Sequence, residues 1–145
     1  MNRIEGITKV QKVLAYSNKE KLYIMADLAY RYTNDVYGMK IEDLWRRLRS
    51  GYHLEEGEIF QRPRIKIQNG GDCDDQAIAV VAWAKGNGFP WMLATAGVKT
   101  AEHVTTYLRA HGQWKNVDGL PYAWPRNMRH FQTLTSSEFE ESRRE

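Results

Sequence analysis

The chain has little cysteine, and this scarcity excludes a disulfide framework and a cysteine-rich zinc site. Cys73 is the single cysteine among 145 residues, so the fold has no disulfide framework. One thiol does not supply the set of cysteine ligands typical of structural zinc sites. A chain without disulfides suits a reducing compartment, and we therefore expect a cytoplasmic protein. A lone cysteine followed along the sequence by His and Asp is the pattern of a candidate nucleophile.

Long hydrophobic runs and a strong excess of one charge are also absent from the sequence. No stretch approaches the length of a membrane-spanning helix, and the polar start Met1–Glu5 leads into no apolar signal segment. We therefore expect no signal peptide and no membrane contact. The net charge of +3 is too small to indicate nucleic-acid binding, and we interpret the basic cluster at residues 46–49 as a solvated helix face. The length suits one domain, residues 1–145.

Turn and capping residues surround the cysteine. The stretch 69–71 is Asn-Gly-Gly, a turn sequence, and Asp72 with Asp75 three residues later resembles a capping box. From Cys73 to Lys85 the residues are mostly small and apolar, and the glycines at 86–88 then end the predicted helix. We therefore expect the thiol in the first turn of a buried helix, where unpaired N–H groups and the helix dipole favour a thiolate.

Two other interpretations of this segment stay open. A lone cysteine is more often a small buried hydrophobe than a nucleophile. The flanking Asp72 and Asp74 disfavour a core position for Cys73, but their charges also oppose a thiolate, so activation requires a nearby imidazolium. The same acidic residues suit a divalent cation. We interpret them as ordinary residues of a first helical turn and expect no metal and no organic cofactor.

The first third of the chain, residues 1–51, is predicted to be helical. Apolar spacing predicts a short helix over residues 5–16. A capping box from Ser17 to Glu20 opens a second helix, which is expected to end near Asn34. A third helix is expected from about Ile41 to Arg49. The expected buried positions of the second and third helices are Leu22, Met25, Ala26, Ala29, Tyr32, Leu44, Trp45 and Leu48.

Strand patterns follow the predicted cysteine helix. Residues 89–96 are expected to form a buried strand, and residues 103–109 and 113–118 form two more. The dipeptide His111-Gly112 between the last two is a tight-turn signal, so these strands are predicted to form a hairpin.

The turn fixes the register of this hairpin. With two loop residues, Thr105 faces Asp118 and Tyr107 faces Asn116. His103 and Asp118 then share a face as diagonal neighbours, within reach of an imidazole–carboxylate contact. A three-residue loop would place them on opposite faces.

Side chains outside the hairpin supply further candidates. Gln61 and Gln68 lie upstream of the thiol, and either amide is a candidate donor to an oxyanion beside the Cys73 backbone N–H. Each of them alone also fits a solvated loop residue. The aromatic and turn-rich stretch 119–133 either walls a substrate cleft or packs as a covering loop. The candidate cleft residues are Asp72, Trp91, Tyr122 and Trp124.

Two further imidazoles and a charged tail lie downstream of the thiol. His111 lies in the predicted turn and is expected to be solvated, and His130 is a further imidazole to consider. The tail, residues 134–145, is charged and is expected to be frayed from Ser136 onward.

An ordered set of features resembles the transglutaminase-like superfamily of papain-fold cysteine enzymes. The set is Gly-Gly-Asp-Cys-Asp-Asp-Gln-Ala, a buried helix, a His that opens a strand, and Trp-x-x-Val-Asp, all within residues 60–120. The resemblance implies Cys73 as nucleophile, His103 as general base and acid, and Asp118 as the residue that orients His103. It implies an α+β fold in which N-terminal helices and the nucleophile helix pack on an antiparallel sheet. Val104 follows the His where the family often has an aromatic residue.

The resemblance also implies an activity. This activity is acyl transfer or amide hydrolysis on a protein or peptide substrate through a thioester, with water or an amine as acceptor. Small stand-alone domains of this kind resemble bacteriophage and prophage proteins, which implies a location in the host cytoplasm or the virion. The alternative is a non-enzymatic binding or assembly module, such as a phage virion structural protein with an unused triad, because fold does not imply function.

Overall fold

The computed structural model describes residues 17–50, 63–64, 73–97, 103–117 and 129–144, and these residues form an α+β fold. The predicted helix over residues 5–16 lies outside them. The described elements, in chain order, are helix α1 (Asn18–Arg31), a 3₁₀ turn (Thr33–Val36), helix α2 (Ile41–Ser50), helix α3 (Cys73–Asn87), strands β1 (Trp91–Gly97), β2 (His103–Ala110), β3 (Gln113–Asn116) and β4 (Arg129–Thr135), and helix α4 (Ser136–Arg143).

Helix α1 begins at the predicted capping box. Ser17 Oγ accepts a hydrogen bond from the Glu20 backbone N–H, and Glu20 Oε1 accepts one from the Ser17 N–H, each at 3.2 Å. This reciprocal pair satisfies two N–H groups that the helix itself leaves unpaired. The helix ends at Arg31, slightly before the predicted end, and the 3₁₀ turn that follows carries Val36 into the core. Of its predicted buried stripe, Leu22, Met25, Ala26 and Ala29 are buried and Tyr32 is partly buried.

Helix α3 ends in a Schellman motif. Gly88 has a φ of +75°, a left-handed conformation that glycine adopts without strain. The N–H of Gly88 donates to the Lys85 carbonyl, and the N–H of Phe89 donates to the Ala84 carbonyl at 2.9 Å. The Phe89 ring stacks on Trp83 with 5.4 Å between centroids, which is the hydrophobic contact typical of this motif. The predicted glycine stop is therefore confirmed.

The same helix is the centre of the core. Every side chain of α3 from residue 77 to residue 84 is buried, so the helix is covered all round. Side-chain hydrogen bonds tie it to the N-terminal helical part: Gln76 Nε2 donates to the Leu48 carbonyl at 3.2 Å, and Trp83 Nε1 donates to the Met39 carbonyl at 2.7 Å. These bonds fix α3 between the sheet and the preceding helices.

The four strands form one antiparallel sheet in the order β3-β2-β1-β4. Leu93, Val104 and Leu134 belong to the core cluster that contains α3, so they mark the helix-packed face of the sheet. Ala94 and Ala96 alternate with them on β1 and mark the second face. Both alanines are completely buried although they lie outside the core cluster. The second face is therefore covered at its middle.

The C-terminal part corrects the sequence prediction. Residues Ser136–Arg143 form helix α4 and not a frayed tail. Thr135 caps this helix through a capping box with Glu138. Phe139 is 3% exposed, and its ring lies 4.9 Å from that of Tyr30. Strand β4 also occupies part of the stretch predicted to be turn-rich.

Among the described residues, no helix combines the length and the apolar character that crossing a lipid bilayer requires.

Candidate functional site

Cys73 is the first residue of helix α3, which confirms the prediction of a first-turn position. It is partly buried and packs against the core cluster, and its Sγ lies 4.0 Å from Asp74 Oδ1. The first N–H groups of a helix have no partner within the helix, and its dipole favours an anion there. Asp74 and the fully buried Asp75 place acidic groups in the same turn, and their charges oppose a thiolate.

The lengths of α3 and β1 and the connection between them allow Cys73 and His103 to lie at the same end of the fold. Only residues 88–90 separate α3 from β1, and the Pro90 carbonyl accepts a hydrogen bond from the Arg109 N–H at 3.0 Å. The C-terminus of α3 therefore lies at the end of the sheet where β2 finishes. The 15-residue helix is about 22 Å long and the seven-residue β1 is about 23 Å long, so α3 spans the strand. A helix of this length that packs on the sheet from that end can reach the other end, where His103 begins β2.

The two side chains approach this end from different layers. His103 pairs with Ala96 on β1, so its side chain starts on the second face. Cys73 belongs to α3, on the helix-packed face. A contact between Cys73 Sγ and the His103 ring would therefore pass around the end of the sheet, beyond the first residue of β2.

The hairpin register is confirmed as far as the structure describes it. His111 and Gly112 have φ values of 53° and 77°, which suits a two-residue type I′ turn. The observed pairs run from Ala110↔Gln113 to Tyr107↔Asn116. Backbone bonding continues beyond Asn116, because the Val117 N–H donates to the Thr106 carbonyl at 2.9 Å.

One side-chain bond supports the face assignment of the hairpin. Asn116 Nδ2 donates to Thr105 Oγ1 at 3.0 Å, so these two side chains share the second face with His103. Asp118, which was expected to face Thr105, lies outside the described residues. The pairing of Asp118 with His103 stays a prediction.

The other predicted site residues divide into two groups. Trp91 is completely buried, its Nε1 donates to Tyr30 Oη at 3.1 Å, and its ring contacts Phe139. It is a core residue, so the prediction that Trp91 lines a substrate cleft is wrong. An aromatic residue in an apolar strand fits a cleft wall or a core, and the ring contacts with Tyr30 and Phe139 place Trp91 in the core. Asp72, Gln61, Gln68, Tyr122 and Trp124 lie outside the described residues.

A pair that the sequence reasoning missed lies on the second face. Tyr107 Oη is 2.9 Å from His130 Nε2, and the two rings are edge to face with 5.5 Å between centroids. His130 is exposed and belongs to β4, close to the end of the sheet that carries His103. Sequence spacing gave no signal for this contact, because β4 itself was not predicted.

Among the described residues, no group of three or more His, Cys, Asp or Glu side chains is arranged to hold a metal ion. Comparisons of the chain with protein-family models, with curated proteins and with solved structures gave no match. Function is therefore inferred from the motif and from the geometry of the described residues.

Proposed function

We propose that the protein is a cysteine-dependent acyl-transfer enzyme with a transglutaminase-like, papain-type fold. Cys73 is the nucleophile, His103 is the general base and acid, and Asp118 orients His103. The observation that supports the proposal is the position of Cys73 in the first turn of a buried helix that is long enough to reach the end of the sheet where His103 begins β2. A nucleophile at a helix N-terminus and a base at the adjacent end of a sheet are the two parts that thiol catalysis needs.

The reaction begins at an amide or ester carbonyl of a protein or peptide substrate. The Cys73 thiolate attacks the carbonyl carbon, a C–S bond forms, and the carbonyl oxygen takes the electron pair. The C–N or C–O bond then breaks, and the leaving group takes a proton from the His103 imidazolium. The thioester passes its acyl group to water, which makes the protein a protease or amidase, or to an amine, which makes it a transglutaminase.

The tetrahedral oxyanion needs donors close to the thiol. The backbone N–H of Cys73 is one candidate, because it belongs to the first turn of α3, where the helix dipole favours an anion. Gln61 and Gln68 remain the candidate side-chain donors. The substrate carbonyl would lie beyond the end of the sheet, where groups from both layers can reach it.

The alternative function is a binding or assembly module in which the triad is not used. One observation favours it: His103 starts from the face of the sheet opposite to α3. If its ring stays on that face, His103 does not supply the imidazolium that would offset the charges of Asp74 and Asp75, and the triad is not used.

Alkylation of Cys73 separates the two functions. The rate of iodoacetamide labelling would be measured against pH by mass spectrometry of the intact chain, for the wild type, His103→Ala and His111→Asn. An enzyme should label with a midpoint below about pH 8.5, the value of a free thiol, and His103→Ala should raise that midpoint. His111→Asn removes an imidazole from the far end of β2 and should behave as the wild type. A wild-type rate that rises only above pH 8.5 and is unchanged in His103→Ala would contradict the catalytic pair.

A further inference from the structure

A small cavity lies between the 3₁₀ turn and the C-terminal part of helix α3, and we call it the turn cavity. Its volume is about 190 Å³. Pockets that take small-molecule ligands are larger, at about 300–1,000 Å³, so the turn cavity suits a single side chain of a partner. Small and aromatic residues provide most of its lining, which includes Val36, Tyr37, Gly38, Ala82, Trp83 and Gly86.

Side-chain contacts hold the walls of the turn cavity in place. Thr33 Oγ1 donates a hydrogen bond to the Tyr30 carbonyl at 3.1 Å. Trp83 Nε1 donates to the Met39 carbonyl at 2.7 Å. A Cβ atom at Gly86 would lie 3.0 Å from Thr33 Cγ2, so the glycine allows the turn to pack close to α3. A cavity with fixed walls loses little conformational entropy when a partner fills it.

Aromatic rings are exposed to water around the turn cavity. Tyr37 lines the cavity and is 83% exposed. Phe89, whose ring stacks on the Trp83 ring of the lining, is 39% exposed. Exposed apolar surface beside a cavity marks an interaction site, and aromatic residues are enriched in protein–protein interfaces. These rings therefore favour an apolar side chain of a protein as the occupant.

A second cavity adjoins the first at Gly38, which lines both of them. We call it the basic cavity, and its volume is about 670 Å³. Among the described residues, its lining contains one carboxylate, Asp43, and three cations, Lys40, Arg46 and Arg47. Asp43 forms an ion pair with Arg46, so the lining keeps an excess of positive charge. This charge is complementary to an acidic partner.

We propose that the two cavities together form a docking surface for an acidic peptide segment of a partner protein. One aromatic side chain of the segment enters the turn cavity, where Tyr37 and Trp83 contact it. Carboxylates of neighbouring residues in the segment pair with the cations of the basic cavity. Adjacent residues of one peptide can reach both cavities, because Gly38 belongs to both linings. An anchor side chain in a pocket, with charged contacts around it, is the distribution of binding energy typical of protein interfaces.

The docking surface lies far from Cys73. The residues of α3 that line the turn cavity, from Ala82 to Asn87, are about 14–21 Å from Cys73 along the helix axis. The partner therefore binds away from the proposed nucleophile. The inference goes beyond the proposed function and does not depend on it.

Fluorescence anisotropy of labelled synthetic peptides tests the inference with the full chain. The protein should bind the peptide Glu-Glu-Phe-Glu-Glu, and added salt should weaken the binding. The peptide Glu-Glu-Ala-Glu-Glu lacks the anchor and should bind on the order of 10-fold more weakly. Lys-Lys-Phe-Lys-Lys keeps the anchor but has the opposite charge, and it should not bind.

Variants of the protein test the two cavities separately. Tyr37→Ala should weaken the binding of the Phe-containing acidic peptide on the order of 10-fold, whereas Tyr37→Phe keeps the ring and should bind it as the wild type does. Lys40→Glu should weaken the binding and also reduce its salt dependence. Arg129→Glu is the matched control, because Arg129 is an exposed cation that pairs with Gly97, at the other end of the sheet from the C-terminus of α3. It should bind the peptide as the wild type does, and so should Cys73→Ser.

Equal melting temperatures would show that the variants are folded. If the wild type binds neither acidic peptide, or if Tyr37→Ala and Lys40→Glu bind as the wild type does, the inference is overturned. If Tyr37→Ala does not fold, equal binding of the Phe and Ala peptides by the wild type overturns it. Tighter binding of single-stranded oligothymidylate, lost in Lys40→Glu, would also overturn it, because the surface would then belong to a nucleic acid.

Discussion

The hydroxyl of Tyr30 donates a hydrogen bond to Glu140 Oε1 at 2.8 Å and joins the first described helix to the last. The Oη of Tyr30 also accepts a hydrogen bond from Trp91 Nε1 at 3.1 Å, so this hydroxyl links both helices to the sheet. Lys85 Nζ lies 3.5 Å from the same carboxylate oxygen of Glu140. One phenol therefore connects three parts of the chain that are distant in sequence.

Tyr30→Phe should destabilise the fold at neutral pH by about 1–3 kcal/mol, because the Trp91 N–H loses its acceptor and Glu140 loses a donor. Burial and the hydrogen bond to Glu140 both raise the pKa of Tyr30. The folded state thus binds this proton more tightly than the unfolded state. The stabilisation that this proton contributes to the fold is complete below about pH 10, the ordinary pKa of tyrosine, and is lost as the pH rises above that value. Urea unfolding at pH 7 and pH 10.5 would check both effects.

The control for this pH effect is Tyr23→Phe. Tyr23 also contacts the Phe139 ring, at 6.1 Å between centroids. The wild type and Tyr23→Phe should lose stability on going to pH 10.5, and Tyr30→Phe should lose less. Equal losses in all three proteins would show that the proton on Tyr30 does not contribute.

Helix α4 is predicted to be part of the cooperative fold. Phe139→Ala should lower the free energy of unfolding by about 3–5 kcal/mol, because the ring is 3% exposed and packs against aromatic rings of α1 and β1. Ser137→Ala, an exposed position in the same helix, should change it by less than about 0.5 kcal/mol. Chemical unfolding followed by tryptophan fluorescence measures both. If Phe139→Ala lowers the free energy of unfolding by less than about 1 kcal/mol, this segment is frayed and does not belong to the cooperative fold.

Adjacent threonines of β2 should respond in opposite directions to the same substitution. Thr106 is 1% exposed on the helix-packed face, and its Oγ1 has no hydrogen-bond partner among the residues that the structure describes. Thr106→Val removes a buried unsatisfied hydroxyl and should stabilise the fold by about 1 kcal/mol. Thr105 is equally buried, but its Oγ1 accepts a bond from Asn116, so Thr105→Val should destabilise by about 1–3 kcal/mol. Melting curves of the two variants check the faces assigned to β2.

The sequence predicted the local parts of the fold well. The capping box at Ser17, the start of α3 at Cys73 and the two-residue turn at His111 each depend on a few neighbouring residues. The residues that form each of these features are close in sequence, so the features can be predicted without knowledge of distant contacts. The capping box at Thr135 and Glu138 has the same local form and was overlooked because the surrounding segment is highly charged.

The features that were missed depend on contacts between distant residues. Trp91 looked like a cleft residue because an aromatic side chain can wall a cleft or fill a core, and only the positions of Tyr30 and Phe139 decide between them. His130 reaches the face of His103 through a bulge, and a bulge breaks the period-two pattern from which a strand is predicted. Neither arrangement has a local sequence signature.

The hairpin register leads to a final prediction about Asp118, the residue that follows Val117 in the sequence. With the observed pairing continued by one residue, Asp118 would face Thr105 and lie diagonal to His103. A carboxylate there would orient the imidazole and contribute little to the fold. Asp118→Asn should therefore keep the melting temperature, since the amide has the same shape and still forms hydrogen bonds.

The same variant should lower catalysis strongly, because an amide can favour the wrong tautomer of His103. Loss of the carboxylate from a catalytic triad costs roughly 10⁴-fold in rate in the general case. The measurements are thermal melting, alkylation of Cys73, and the burst of nitrophenolate that is released when p-nitrophenyl acetate acylates Cys73. Cys73→Ser is the control variant, which should melt as the wild type does and show neither labelling nor a burst. If Asp118→Asn unfolds the chain, Asp118 is a structural residue of the hairpin and the third member of the triad is wrongly assigned. If it melts and reacts as the wild type does, His103 is oriented by another group.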